Sequence, residues 1–277
     1  MTDKRKAALR RRRLFLTLCA LILVAVIAVI FITVSSIKKA ANGNNGENSS
    51  LNGGTESSQP VEDKKTDPYA EPDPVVRGEY TLDANYSRLL LVNAEYPLPQ
   101  NYDYGWNLTK IEEKYHNGQL DQIDAGVWPY MKAMIEAAWK DGVKLYVWSP
   151  YRSYDTQKML FENRVKKEGG DEAKAATAVA RPGTSEHNTG LCADFNMASS
   201  KFESTEMFTW MREHAEEYGF ILRYPQDRID ITGVMYESWH WRFVGINRAK
   251  EINNLNVTLE EYIKLKGLDP QNGLYEK

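Results

Sequence analysis

An α+β domain, with a mostly antiparallel sheet flanked by helices and with one transmembrane helix and a disordered tether ahead of it, is the fold class the sequence predicts. Three observations point there. After residue 75, helical and strand patterns mix without the steady alternation of a doubly wound sheet. Residues 14–34 form one long apolar run. Residues 41–73 are Asn, Gly, Ser, Glu and Pro with almost no large apolar side chain.

Taking the chain in order, Lys4, Arg5, Lys6, Arg10, Arg11, Arg12 and Arg13 make residues 1–13 a basic head. The apolar run of about 21 residues would rise roughly 32 Å as a helix, which matches a bilayer core of ~30 Å. Basic charge before the run keeps the N-terminus inside the cell and puts everything after residue 34 outside. The rival reading is a cleaved signal peptide, whose apolar core spans ~7–15 residues before a small-x-small site. Ser35-Ser36-Ile37-Lys38-Lys39 offers no good site, so an uncleaved signal anchor is favoured. Residues 35–74 read as the tether, because such a composition cannot bury enough surface to offset chain entropy. Residues 75–277, roughly 200 in all, suffice for one domain with its own core.

The net charge of −3 hides an asymmetry, since much of the positive charge lies in the head. The outer part is acidic and has no electrostatic footprint for nucleic acid. Of the 2 cysteines, Cys19 falls in the apolar run and Cys192 in the domain. An intradomain disulfide is thereby excluded, and stability has to come from the core.

Residues 89–93 read as a short strand, ended by Pro97 and Pro99. Tyr102, Tyr104 and Trp106 form an aromatic cluster suited to packing at the core edge, with a sugar or peptide groove as the alternative. Val127, Met131, Met134, Ile135 and Ala138 lie on one helical stripe, so a helix is expected over 127–140, with Pro129 in its first turn and Gly142 as its stop. Residues 143–149 alternate as a strand and deliver Arg152 to a strand-to-helix corner. Ser153 or Asp155 can cap a helix over 156–167, with Gln157 early in it. Helices over 171–180 and 206–218, a strand over 220–224, a polar loop over 225–233, a strand over 237–244 and a helix over 259–266 complete the order.

The run Thr184-Ser185-Glu186-His187-Asn188-Thr189-Gly190-Leu191-Cys192-Ala193-Asp194 carries the chemistry. Gly190 after turn-prone residues argues for a loop feeding a strand. In that strand Cys192, Asp194 and Asn196 point one way and Leu191, Ala193 and Phe195 the other. Imidazole and carboxylate suit zinc, and a catalytic zinc site needs three such ligands and one open position. Downstream, Glu237-Ser238-Trp239-His240 offers a second imidazole and a second carboxylate. Each histidine alone would more often be structural; their occurrence with Asp194 and Glu237 favours a metal. Water on such a zinc has its pKa brought to about 7, and a neighbouring carboxylate moving its proton is worth typically ~10²–10⁴-fold. Glu237 would face away from His240 in a strict strand, so it is placed in the turn just before. Arg152 is the candidate for stabilising an oxyanion. Arg242 is expected in a structural ion pair, and Trp239 and Trp241 in the core. Other hydrolase patterns fit worse. Ser35-x-x-Lys38 stands at the membrane exit without Lys-Thr-Gly, and neither Gly-x-Ser-x-Gly nor His-Glu-x-x-His occurs.

Ser185-x-His187-x-x-Gly190-x-Cys192-x-Asp194 and Glu237-x-Trp239-His240-x-Arg242, preceded by Tyr151-Arg152-Ser153, resemble the zinc D-Ala-D-Ala carboxypeptidases of the VanY type, within the hedgehog/D-alanyl-D-alanine peptidase fold. The likeness runs over residues 91–263. It implies His187, Asp194 and His240 as Zn²⁺ ligands, Glu237 as catalytic base and Arg152 as the group that stabilises the transition state. It also implies that Gln157 and Ser185 help to hold the substrate. The family usually has Ala in place of Cys192. A buried space-filler is the favoured role for that thiol, with an approach to the metal left open. By the same resemblance, the partner is the peptidoglycan stem peptide, reached by a single-pass enzyme of the bacterial cell membrane whose domain is extracytoplasmic. The alternatives are an L,D-carboxypeptidase or endopeptidase acting on the stem, and a non-catalytic zinc-stabilised module binding the cell wall. An intact Glu237 argues against the last.

Overall fold

The computed structural model describes residues 74–99, 101–103, 105 and 107–271. The basic head, the apolar run, the tether up to residue 73, Tyr104 and Trp106 lie outside these residues. Among the described residues, no helix is long and apolar enough to cross a membrane.

The architecture is α+β, and every ladder in it is antiparallel. A hairpin of β1 (Pro74–Arg77) and β2 (Tyr80–Asp83) opens the domain, and β3 (Leu108–Lys110) pairs with β4 (Gln122–Asp124). The main sheet holds β5 (Val147–Ser149), β6 (Cys192–Phe195), β7 (Phe220–Leu222) and β8 (His240–Phe243) in the order β5-β6-β8-β7. A parallel bridge from His116 to Val147 extends its β5 edge. All residues of the two inner strands, β6 and β8, are buried. A one-residue slip there would turn every side chain to the wrong face, so the register is tightly specified. That register sets Asp194 opposite His240 on one side and opposite Ser149 on the other. Leu191, Ala193, Phe195, Trp241 and Phe243 enter the main core, and by the strand alternation Cys192, Asp194, His240 and Arg242 face the other way.

Helix α1 (Trp128–Lys140) presses Met131, Met134, Ile135 and Ala138 into this core, with a proline in its first turn. It ends at Asp141, ahead of Gly142 at φ +85°. Helix α2 (Tyr154–Lys167) is capped by Ser153, whose hydroxyl accepts from the Thr156 N–H. The remaining helices are α3 (Glu172–Ala176), α4 (Glu206–His214), α5 (Ile229–Thr232), α6 (Ile246–Leu255) and α7 (Leu259–Lys266). The last two cover a smaller core of Leu91, Ile221, Val244, Ala249, Ile252, Leu259, Tyr262 and Ile263.

Four expectations are corrected. Residues 89–93 form no strand: the Leu91 N–H donates to Pro270 C=O at 2.8 Å, and the carbonyls of Arg88 and Leu90 accept from Arg242 Nη2 at 3.1 and 2.7 Å. A buried guanidinium thus satisfies backbone that a ladder would otherwise have served. Strand β5 starts only at Val147, because the side chain of Asn196 occupies the Tyr146 N–H and the Lys144 C=O at 3.0 and 2.7 Å. Helix α3 stops at Ala176, where the Thr177 hydroxyl turns back to Lys174 C=O at 2.9 Å. The segment 225–233 contains α5, and α6 was not anticipated at all. Its lead-in is Gly245 at φ +95°, where a Cβ would lie 2.4 Å from the Tyr86 carbonyl oxygen.

Candidate active site

His187 is carried by one 3₁₀-helical turn, Glu186–Thr189, closed by Gly190 at φ +72°. Only a residue tolerant of positive φ lets the chain reverse here into β6, and a Cβ at Gly190 would sit 2.9 Å from the Asp124 backbone nitrogen. The turn is fastened to the corner after β5 from both sides. Arg152 N–H donates to His187 C=O at 2.9 Å, and Asn188 Nδ2 donates to Arg152 C=O at 2.8 Å. His187 Nδ1 lies 2.7 Å from Pro150 C=O, a group that can only accept. Nδ1 therefore carries a proton, and Nε2 is the nitrogen left to bind a metal.

Nε2 faces Asp194. His187 Nε2 is 3.4 Å from Asp194 Oδ1, and His240 Nδ1 is 3.1 Å from the same oxygen. The two imidazole rings stand edge to face with centroids 4.8 Å apart. Glu237 precedes β8 in a turn held by its N–H to Tyr224 C=O at 3.2 Å and by the His240 N–H to its own C=O at 3.3 Å. The turn brings Glu237 Oε2 to 3.9 Å from His240 Nδ1. Donor atoms of Asp194, Glu237 and His240 all fall within 4.8 Å of one another, as do those of His187, Cys192 and His240.

Arg152 reaches the same place from the β5–α2 corner. Its Nε donates to Ser149 Oγ at 2.9 Å, its Nη2 to Asp194 Oδ2 at 2.8 Å and its Nη1 to Gln157 Oε1 at 3.5 Å. Gln157 is itself anchored by Nε2 to Ala180 C=O at 2.7 Å. Ser185 is buried at the entry to the 3₁₀ turn and does not cap it. The fold thus gathers His187, Asp194, His240, Glu237 and Arg152 directly, with Gln157 joined through Arg152 and Ser185 standing two residues before His187.

The charges are strongly coupled. Burial opposes ionisation of Asp194, yet His187, His240 and Arg152 hold it well below the usual carboxylate range. Burial and Arg152 draw His187 down, but Cys192 and Asp194 carry it to about 8. His240 is raised by Cys192, Asp194 and Glu186 in spite of its burial. The Cys192 thiol, also buried, is lowered to about 7 by the two imidazoles. Burial lifts Glu237 to about 7, with Asp194 adding to the rise and His240 opposing it. Imidazole nitrogens, carboxylate oxygens and a thiol facing one another form a donor set that suits a tetrahedral dication. The far sides of both rings are already hydrogen-bonded to protein, which leaves the inner nitrogens for that ion.

Two residues here were missed by sequence reasoning. Asn188 fastens the turn, as described. Glu186 is fully buried; its Oε1 accepts from Arg223 Nε and Arg242 Nη1, each at 2.7 Å, and its Oε2 lies 3.4 Å from His240 Nε2. A signal was available: an acidic residue sits in a run that must fold inward, and two arginines lie on the strand patterns that follow.

The family model described as VanY, D-alanyl-D-alanine carboxypeptidase, matches residues 121–246. The YodJ protein of Bacillus subtilis (strain 168) is 41% identical over 200 residues, which cover 68% of this chain and 71% of that protein. Among solved structures, the LdcB LD-carboxypeptidase, from work on peptidoglycan recognition, aligns with a TM-score of 0.59 at 38% identity, over 70% of this chain and 94% of that one. A mutant of the vancomycin resistance D,D-pentapeptidase VanY from a VanB-type cassette, in complex with Zn(II), aligns with a TM-score of 0.55 at 37% identity, over 63% of this chain and 98% of that one.

Proposed function

This chain belongs to the VanY family of D-alanyl-D-alanine carboxypeptidases, and on that footing we propose that it removes the terminal D-alanine from peptidoglycan stem peptides, with zinc as its metal. The observation that carries this reading is the meeting of His187 Nε2 and His240 Nδ1 at Asp194 Oδ1, at 3.4 and 3.1 Å, with Glu237 beside them. His187, Asp194 and His240 would hold the ion. When bound, zinc would supply Lewis acidity to the scissile carbonyl and lower the pKa of the attacking water.

Glu237 takes the proton of the attacking water and passes it to the leaving amine. Burial raises this carboxyl, which favours its taking up a proton. Arg152 stabilises the charge that develops on the carbonyl oxygen. Its bonds to Ser149 and Asp194 hold the guanidinium in place before substrate arrives, which is what makes such a group effective. Gln157 steadies the free edge of Arg152, and with Ser185 it borders the place of the substrate's terminal carboxylate.

The N-terminal segments complete the proposal. Residues 1–13 are the cytoplasmic head, 14–34 a single-pass anchor in the bacterial cell membrane and the residues from 35 up to β1 at Pro74 a tether. Residues 75–277 then search the wall from outside the membrane. The likeness to LdcB favours one second reading, an L,D-carboxypeptidase that removes a single D-alanine from a shortened stem.

The test is mass spectrometry of stem peptides ending in D-Ala-D-Ala or in a single D-Ala, with and without a chelator. The D-Ala-D-Ala peptide is expected to lose one alanine, to be spared by the chelator and to be cut again when zinc is restored. Cleavage confined to the single-D-Ala peptide selects the second reading. Intact peptides in every arm overturn both.

A further inference from the structure

Glu186 has no role in the steps above, although it closes the back of the site. Its Oε1 is engaged by two guanidinium groups, Arg223 Nε and Arg242 Nη1, both at 2.7 Å. Arg223 is gripped in turn by Glu260 on α7 through bonds of 2.8 and 2.6 Å. Arg242 is fixed by the carbonyls of Arg88, Leu90 and Phe243. The carboxylate is therefore locked in orientation, and its second oxygen lies 3.4 Å from His240 Nε2. On the other edge of that ring, Nδ1 lies 3.1 Å from Asp194 Oδ1. An ionised carboxylate only accepts, so the imidazole has to present N–H to Glu186 at Nε2, and a metal held at Asp194 Oδ1 would take the place of the proton on Nδ1.

We infer that Glu186 is a positioning residue: it holds the His240 ring by Nε2–H and thereby turns Nδ1 toward the metal. The inference rests on the reading of His240 as a ligand. A carboxylate behind a ligating imidazole fixes its tautomer and raises its basicity, and loss of such a partner costs about 10–100-fold in metal affinity. A merely structural Glu186, present to neutralise two buried arginines, would have no such effect on the ion.

Glu186→Gln separates the two. The single amide oxygen is drawn to the side where two charged donors compete, which leaves the NH₂ group facing His240 Nε2. That nitrogen must then accept, and the ring proton moves to Nδ1, where it masks the donor atom. Glu260→Gln loosens the same arginine network without touching His240. In competition titrations against a chromophoric chelator, Glu186→Gln is expected to weaken zinc binding by about 10–100-fold and Glu260→Gln to leave it unchanged. In the zinc-loaded wild-type protein, ¹H–¹⁵N NMR of the His240 ring should show the proton on Nε2 and the metal on Nδ1.

Unaltered affinity in Glu186→Gln, or equal losses in the two variants, overturns the positioning role. So does metallation of His240 at Nε2, a result that needs no variant and decides the matter if Glu186→Gln does not fold. Wild-type zinc affinity in His240→Ala would instead sink the reading of His240 as a ligand, on which this inference stands.

Discussion

Glu237→Ala is expected to leave zinc bound and to lower kcat by about 10²–10⁴-fold. Glu237 Oε2 stands 3.9 Å from His240 Nδ1, close enough to reach a water at the site, while His187, Asp194 and His240 supply three donors without it. Its carboxyl is lifted by burial to about 7, whereas Asp194 is held low by two imidazoles and an arginine. In the proposed mechanism the two carboxylates divide the work, one exchanging protons and the other staying ionised beside the metal. His187→Ala should behave differently and lose the ion itself. Zinc content by elemental analysis, measured alongside kcat on the stem peptide, separates the two variants. A Glu237→Ala protein with undiminished turnover would contradict the mechanism.

Arg242→Met should lower folding stability by about 3–5 kcal/mol, the usual result of breaking a buried ion pair from one side. The guanidinium is wholly enclosed on an inner strand and bonds Glu186 Oε1 at 2.7 Å, Leu90 C=O at 2.7 Å, Phe243 C=O at 3.0 Å and Arg88 C=O at 3.1 Å. Methionine fills part of the volume but returns none of these donors, so a share of the Glu186 charge and several carbonyls are left buried without them. Urea unfolding of the zinc-free protein measures the loss as a fall in midpoint at unchanged slope. A midpoint equal to that of wild type would mean that the cluster around Glu186 contributes little to holding β8 and the 89–93 segment together.

The elements that were legible in the sequence are those with a strong local pattern. Helix α1 declared itself by its apolar stripe and its proline, and both it and α7 lie within a residue of where they were expected. The meeting of the 184–194 run with Glu237 and His240 was legible for a different reason. A zinc site needs a further donor beyond His187 and Asp194, which sent the search downstream to Glu237 and His240, and the register of β6 with β8 sets Asp194 opposite His240. What escaped notice was settled by distant partners. Leu89 to Val92 reads as a strand to any local rule, but its carbonyls are met by an arginine about 150 residues away in sequence. Strand β5 is cut short by the amide of Asn196, and Thr177 ends α3 with its own hydroxyl. Glu186 was passed over because its partners Arg223, Arg242 and His240 are distant in sequence, although an acidic residue in an inward-folding run was itself a signal.

Anomalous X-ray scattering at the zinc edge, from crystals of the zinc-loaded protein, tests the central claim most directly. The account predicts one strong peak bonded to His187 Nε2, His240 Nδ1 and an oxygen of Asp194. A peak elsewhere in the molecule, or none under saturating zinc, would contradict it.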